Sequence, residues 1–297
     1  MNTILTFWFF ALGAAVGSFL NVCIYRLPRD KSVNDPPRSF CPSCGHQLSW
    51  FDNIPLVSFF LLGRCCRHCG LLISWRYVLV ETLTACLFAL LYIRCNTWEG
   101  ARWGVLMAYC VLIAALIAST FIDAEFFIIP DIITLPLALA GILWCGFFPE
   151  LQTAPAFGEQ AHISRGLAMY GRQANLGGFI SAAISVAISG GVVYGLRAIG
   201  TLIFKREAMG IGDVKLMMMV GALLGWKLAI CAFFIAPFFG VMFGIRQLIT
   251  RKQSEMPYGP HLAAATILVM FFQDAVLPRF ENYARAMAQL FQMIAGR

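Results

Sequence analysis

WGVLMAYCVLIAALIASTFID, residues 103–123, carries no charge until its last position, Asp123. The twenty residues ahead of that carboxylate suit a helix crossing a bilayer core, which takes about 17 to 25 residues. Working outward, similar apolar stretches stand near 4–24, 78–95, 130–148, 176–199, 213–226, 228–249 and 261–278, with short polar segments between them. They predict an all-α polytopic membrane protein of about eight transmembrane helices. The 213–226 stretch is short, and Gly225-Trp226-Lys227 leaves little room for a turn after it, so a tilted or partly re-entrant helix is expected there. Composition agrees: 60% of the residues are hydrophobic and 12% charged, against about a quarter charged in soluble domains. No basic stretch precedes the first apolar run and no small-residue cleavage site follows it, so a retained helix is expected rather than a removable signal.

Basic residues cluster on alternate connections. The segment 25–77 holds Arg26, Arg29, Lys31, Arg38, Arg64, Arg67 and Arg76, and falls on the same side as 123–129, 200–212 and 250–260. The positive-inside rule places these segments in the cytoplasm and both termini outside. The net charge of +7 is then mostly topological. No basic stripe interleaved with aromatics and no binding motif point to nucleic acid, which is not expected as a partner; the lipid bilayer is.

Segment 25–77 is punctuated by Pro28, Pro36, Pro37, Pro42 and Pro55, which predicts a small loop-rich domain. About fifty residues bury too little to be stable alone and usually need a metal or disulfides. Cys41-Pro42-Ser43-Cys44 and Cys66-Arg67-His68-Cys69, 21 residues apart and followed by Gly45 and Gly70, have the spacing of a four-thiolate zinc ribbon. Glycine at those positions permits the tight turn that aims successive thiolates at one ion. The other reading, two disulfides or redox pairs, suits a reducing compartment poorly. His46 and His68 are possible substitute ligands, and Cys65 makes the second pair ambiguous. Four thiolates close a tetrahedral site, so this zinc is expected to be structural. Cys23, Cys86, Cys95, Cys110, Cys145 and Cys231 read as packing residues.

Carboxylates at the membrane edge are weighed one by one, because charge within a span is costly. Asp123 ends the third span and Asp213 opens the sixth, so parity brings both to the cytoplasmic face. Two carboxylates sharing a proton can hold a water between them, one deprotonating it while the other protonates the carbonyl under attack. Gly210 and Gly212 offer a backbone where an extended strand could approach or the chain could take positive φ. The competing roles are a helix N-cap for Asp213 and a solvated span end for Asp123. Asp131, Lys215 and Glu81 are candidates to line the same pocket, although Asp131 reads more readily as the cap of the fourth span. Transporters place such carboxylates nearer the bilayer midplane; a zinc-stapled transporter or an assembly scaffold is the alternative reading.

Taken in order, these residues resemble the type IV prepilin peptidase family. The resemblance rests on Gly17-Ser18-Phe19-Leu20-Asn21-Val22 with Tyr25-Arg26-Leu27-Pro28, the paired C-x-x-C segment containing Trp50-Phe51-Asp52-Asn53-Ile54-Pro55, and Asp123 with Ile129-Pro130-Asp131. It continues through Gly210-Ile211-Gly212-Asp213, the G-x-G-D signature shared with presenilin-type proteases, to Pro257-Tyr258-Gly259-Pro260. It implies a bacterial inner-membrane aspartic peptidase that cuts the basic leader of prepilins or type II secretion pseudopilins with Asp123 and Asp213. It also implies methylation of the new amino terminus with S-adenosylmethionine, typical of members bearing the cysteine loop; no dinucleotide-type fingerprint in the chain shows that activity. The expected division is a first helix at 1–24, a zinc-binding domain at 25–77, a protease core at 78–278 and a tail at 279–297. The polar 149–175 stretch, longer than usual for the family, is expected outside.

Overall fold

The structure, a computed structural model, describes residues 3–36, 38–96, 103–148, 151, 174–205, 209–250 and 257–295. The described residues form helices and loops, with β-pairing confined to the isolated bridges Phe40–Gln47 and Cys65–Leu72. The chain folds as two compact units, Met1–Pro130 and Asp131–Arg297.

In the first unit, α1 (Thr3–Arg26), α3 (Trp75–Asn96) and α4 (Trp103–Phe126) pack together, and the segment from Leu27 to Ser74 contains the short α2 (Val57–Leu61). Apolar attraction between helices is weak in lipid, so close packing of small residues takes its place. Gly13 and Gly17 supply it. A Cβ on Gly13 would lie 2.7 Å from Ala85 Cα, and one on Gly17 2.7 Å from Glu81 Cα. Near the other end of this contact Phe9 stacks on Tyr92 with ring centroids 4.9 Å apart. Leu112, Ile113 and Leu116 of α4 are fully buried. α4 stops where Phe127 turns to φ +57° and its N–H bonds back to the Asp123 carbonyl at 2.9 Å, a left-handed helix termination.

The second unit contains α5 (Asp131–Phe147), α6 (Ala174–Phe204), α7 (Ile211–Leu224), α8 (Trp226–Thr250), α9 (Gly259–Phe271) and α10 (Gln273–Ala295). The short α7 is its centre, packed against α5, α6 and α8, with Leu216, Met217, Met219, Val220 and Leu224 wholly buried. Small residues again set the approach: a Cβ on Gly221 would meet Ser189 Oγ at 2.1 Å, and one on Gly141 would meet Ala222 Cβ at 2.8 Å. Gly225, at φ +81°, separates α7 from α8.

The chain is therefore an all-α, multi-pass membrane protein, and its helices differ in detail from eight uniform crossings. Thr3–Arg29, Trp75–Cys95, Trp103–Phe126 and Leu176–Phe204 are long and apolar enough to cross a bilayer. Asp131–Phe147 and Trp226–Met242 are shorter apolar helices, α7 has 14 residues, and the expected last span bends by 98° between α9 and α10. Residues assigned to a tail from 279 continue α10 as far as Ala295. The 149–175 stretch lies outside the described residues except at Leu151 and the first two residues of α6.

Candidate functional site

The cysteine segment folds into two matching hairpins, each residue of the second standing 25 positions after its counterpart (41 to 66, 44 to 69). In the first, Cys41 N–H donates to His46 O and Gly45 N–H to Cys41 O, each at 2.9 Å; in the second, Cys66 N–H donates to Leu71 O and Gly70 N–H to Cys66 O, each at 2.9 Å. Gly45 and Gly70 take φ +69° and +68°, the left-handed geometry that favours glycine. The turns bring the sulfurs of Cys41, Cys44, Cys66 and Cys69 within 4.8 Å of one another. Cys41 Sγ and Cys69 Sγ are 3.9 Å apart. A tetrahedral ion with bonds of about 2.3 Å to sulfur needs edges of about 3.8 Å, so the cluster fits a metal. Backbone N–H groups of Cys69 and His68 pull the Cys66 thiol down to about 7, while the Cys69 thiol, beside the other sulfurs, goes up to about 11. Cys65 belongs to the bridge with Leu72 and is outside the cluster. His46 and His68 are outside it too; their rings pack edge to face at 3.8 Å.

Buried polar groups tie this module to the helices. Arg26, 3% exposed, donates through Nη1 to the carbonyls of Ser32, Val33 and Pro36 and through Nη2 to Arg38 O. Glu81 on α3 accepts the Leu56 N–H at 2.8 Å, fixing a residue held at φ +64°. Arg67 in the second hairpin donates to Asp52 at 2.8 Å. Between module and helices lies a cavity of about 530 Å³ lined by Asn21, Tyr77 and Glu81 among others. Glu81, a candidate for the pocket of the aspartates, lines this cavity. At the end of α4, Asp123 is 6% exposed, and its neighbour Glu125 pairs with Arg76 at the start of α3.

In the second unit Asp213 is also 6% exposed. It stands in the first turn of α7, whose N-cap is Gly210, so the capping role expected as its alternative belongs to another residue. Gly210 takes φ −66° and Gly212 is helical; positive φ, one of the two reasons foreseen for these glycines, is not used. Asp131 opens α5, and Lys215 reaches both its carboxylate oxygens at 2.8 and 2.6 Å. Asp131 is therefore an ion-pair partner of the α7 turn carrying Asp213. Two contributors escape sequence reasoning. Arg197 Nε donates to Met209 O at 2.8 Å, anchoring the approach to the G-x-G-D turn. Tyr258 donates to Phe233 O at 3.3 Å, and burial together with the charge of Asp213 raises its pKa. Its place in Pro257-Tyr258-Gly259-Pro260 was the available signal.

Comparison with known proteins accounts for both halves of this arrangement. The bacterial peptidase A24 N-terminal domain matches residues 11–95, covering the cysteine module, Asn21 and Glu81. The type IV leader peptidase family matches residues 110–245, covering Asp123, Asp131, Asp213 and Lys215. A prepilin leader peptidase/N-methyltransferase of Aeromonas hydrophila is 33% identical over 296 residues, 90% of either chain. The chain belongs to the type IV leader peptidase family. It is thereby an enzyme, a peptidase. Proteins of the same name from Pseudomonas aeruginosa and Myxococcus xanthus are 30% and 38% identical, over 92% and 81% of this chain. The chain spans 92% of the Pseudomonas relative and 62% of the Myxococcus one. No solved structure matches this leader peptidase.

Proposed function

We propose that this peptidase removes the leader of type IV prepilins or type II secretion pseudopilins at the cytoplasmic face of the bacterial inner membrane, with Asp123 and Asp213 as the catalytic pair. The observation that carries the proposal is the burial of both carboxylates, each 6% exposed, at ends of strongly apolar helices, where an ionisable side chain is costly and marks a functional site. One carboxylate takes a proton from water as the oxygen attacks the scissile carbonyl carbon; the other donates its proton to the carbonyl oxygen. Collapse of the tetrahedral adduct breaks the C–N bond, with a proton passing to the leaving amine. Gly210 and Gly212 leave room for an extended substrate, and the Lys215–Asp131 pair holds the neighbouring helix starts together.

The second activity we propose is N-methylation of the exposed amino terminus with S-adenosylmethionine, after the name the relatives carry. The cysteine cluster is proposed to hold one Zn2+ through Cys41, Cys44, Cys66 and Cys69. With four thiolates its coordination is complete, so the ion supplies folding energy and no open catalytic position. Incubating the purified protein with a prepilin tests the reading: a shortened product bearing one extra methyl group is expected, and an unprocessed substrate would refute it.

A further inference from the structure

The segment joining the two cysteine hairpins carries apolar side chains outward. Val57, Phe60 and Leu61, spaced for one face of α2, are 50%, 67% and 79% exposed, while Phe59 on the opposite face is buried against the Trp75 ring at 5.2 Å. Single exposed apolar residues are ordinary, but an apolar face left open marks an interaction surface. Two contacts with α3 set its depth. Phe59 meets Trp75, the first residue of that span, and the Leu56 N–H just ahead of α2 meets the Glu81 carboxylate at 2.8 Å. Glu81 stands six positions after Trp75, about 9 Å along a helix axis. α2 therefore lies beside the first turns of α3 and not beyond its end. On α3, Trp75, Leu79, Leu83, Cys86 and Leu90 are exposed at helical spacing, the stripe that a membrane span turns to lipid. The open face of α2 is level with the beginning of that stripe.

The backbone of this segment is satisfied in the way lipid demands, by partners within the protein. Ahead of α2 the N–H groups of Leu56, Val57 and Ser58 reach the Glu81 carboxylate, Pro55 O and Ile54 O. After it, Gly63 N–H donates to Phe60 O at 3.1 Å and Arg64 N–H to Phe59 O at 3.0 Å. Both residues have positive φ, a left-handed cap that closes the helix and turns the chain back. Glu81 thereby has a reason to stand inside a span, where a carboxylate is costly: it receives the amide of a residue held at φ +64°. Beyond the cap the Arg64 guanidinium lies over the Trp75 ring, 5.3 Å from its centre, and Nε–H donates to Ile73 O. Arg64 has no carboxylate partner among the described residues, at the level where tryptophan marks a membrane surface.

We propose that residues 54–62 form a hook sunk into the bilayer interface, with Val57, Phe60 and Leu61 against phospholipid acyl chains and Arg64 at the level of the headgroup phosphates. Amphipathic segments of this kind settle about 5 to 10 Å into the boundary between headgroups and acyl chains. Because the hook joins the two hairpins, it pins the whole cysteine module to the membrane surface. The inference stands apart from both proposed activities, since it rests on apolar exposure, depth along α3 and backbone satisfaction.

The test uses the full chain in vesicles of phosphatidylethanolamine and phosphatidylglycerol, with no substrate present. The photoreactive residue p-benzoylphenylalanine is placed at Phe60, at Leu61 and, as the lipid-facing reference, at Leu79; after irradiation the chains are weighed by mass spectrometry. Adducts of one phospholipid are expected at all three positions. Lipid adducts at Leu79 with none at Phe60 and Leu61, or chain-to-chain products at Phe60 and Leu61 in their place, would overturn the hook. The unmodified chain gives a second reading that a misfolded variant cannot blur. Hydroxyl radicals generated in the water should oxidise Phe60 at least about tenfold more slowly than an unstructured phenylalanyl peptide added to the same vesicles, because a face sunk among acyl chains is withdrawn from water. Oxidation of Phe60 at the peptide's rate would overturn the proposal whatever the cross-links show.

Discussion

Replacing Gly17 with alanine adds one methyl group where the structure has no room for it. Its Cβ would stand 2.7 Å from Glu81 Cα, 3.1 Å from Val80 O and 3.2 Å from Thr84 Oγ1. Carbon atoms prefer separations of about 3.5 to 4.0 Å, so the first contact is short by about 1 Å. The obstruction is helix backbone, which cannot rotate aside, so α1 and α3 must part. Overpacking of this kind costs about 1 to 3 kcal/mol. Separation would also displace Glu81 from the Leu56 N–H and Asn21, one turn further along α1, from Tyr77 O. Gly195→Ala in α6 is the internal control, since its Cβ would meet nothing within 4 Å; it should be neutral or stabilise by up to about 1 kcal/mol through helix propensity. Thermal unfolding in detergent, followed by tryptophan fluorescence, should show Gly17→Ala lowering Tm by several degrees and Gly195→Ala leaving it level or higher. Equal Tm values for Gly17→Ala and wild type, or a larger loss at Gly195, would refute the packing argument.

Metal analysis should find one zinc per chain, lost when Cys41, Cys44, Cys66 and Cys69 become serine and retained in Cys65→Ser; retention in the fourfold variant would sink the assignment. That variant should lose thermal stability and methyl transfer before it loses leader cleavage. Arg26→Met removes the contacts of a charged donor to four carbonyls, where a single hydrogen bond to a charged group is worth about 1.5 to 3 kcal/mol net, so amide exchange in the described residues of 32–40 should accelerate; unchanged exchange would mean that the loop is held by other contacts. Periplasmic reporters joined near Ser39 should be silent and those near Ala161 active, and the reverse result would invert the orientation and weaken the compartment argument for zinc.

How much of this was legible depended on whether the deciding contact was local. The apolar runs of α1, α3, α4 and α6 declared themselves because a long helix with so few charges has few alternatives to lipid. α7 is as apolar, but its Leu216, Val220 and Leu224 are buried by α5, α6 and α8, and apolarity alone cannot separate burial in protein from burial in lipid. The bend at Phe272 lacks a glycine or proline of its own, so the final apolar run read as straight. In the cysteine module the C-x-x-C-G spacing named the four thiolates, whereas the choice of Cys66 over Cys65 required the hairpin register set by the Cys65–Leu72 bridge. Lys215 and Asp131 are 84 positions apart, a pairing that periodicity could not foresee, and local signals suggested the capping role instead. Asn21 was legible as part of a motif, but its bond to the Tyr77 carbonyl is a property of the folded first unit.

The most direct measurement for the central claim is leader cleavage by Asp123→Asn and Asp213→Asn, purified in the folded state and compared with Asp131→Asn. Asparagine keeps the shape and much of the hydrogen bonding while abolishing proton exchange, so each dyad variant should lose several orders of magnitude in rate with Tm near that of wild type. Asp131→Asn removes one half-exposed ion pair with Lys215, worth about 1 kcal/mol or less, and should retain measurable cleavage. Robust cleavage by Asp123→Asn alongside its loss in Asp131→Asn would contradict the pair and move the first catalytic carboxylate to Asp131.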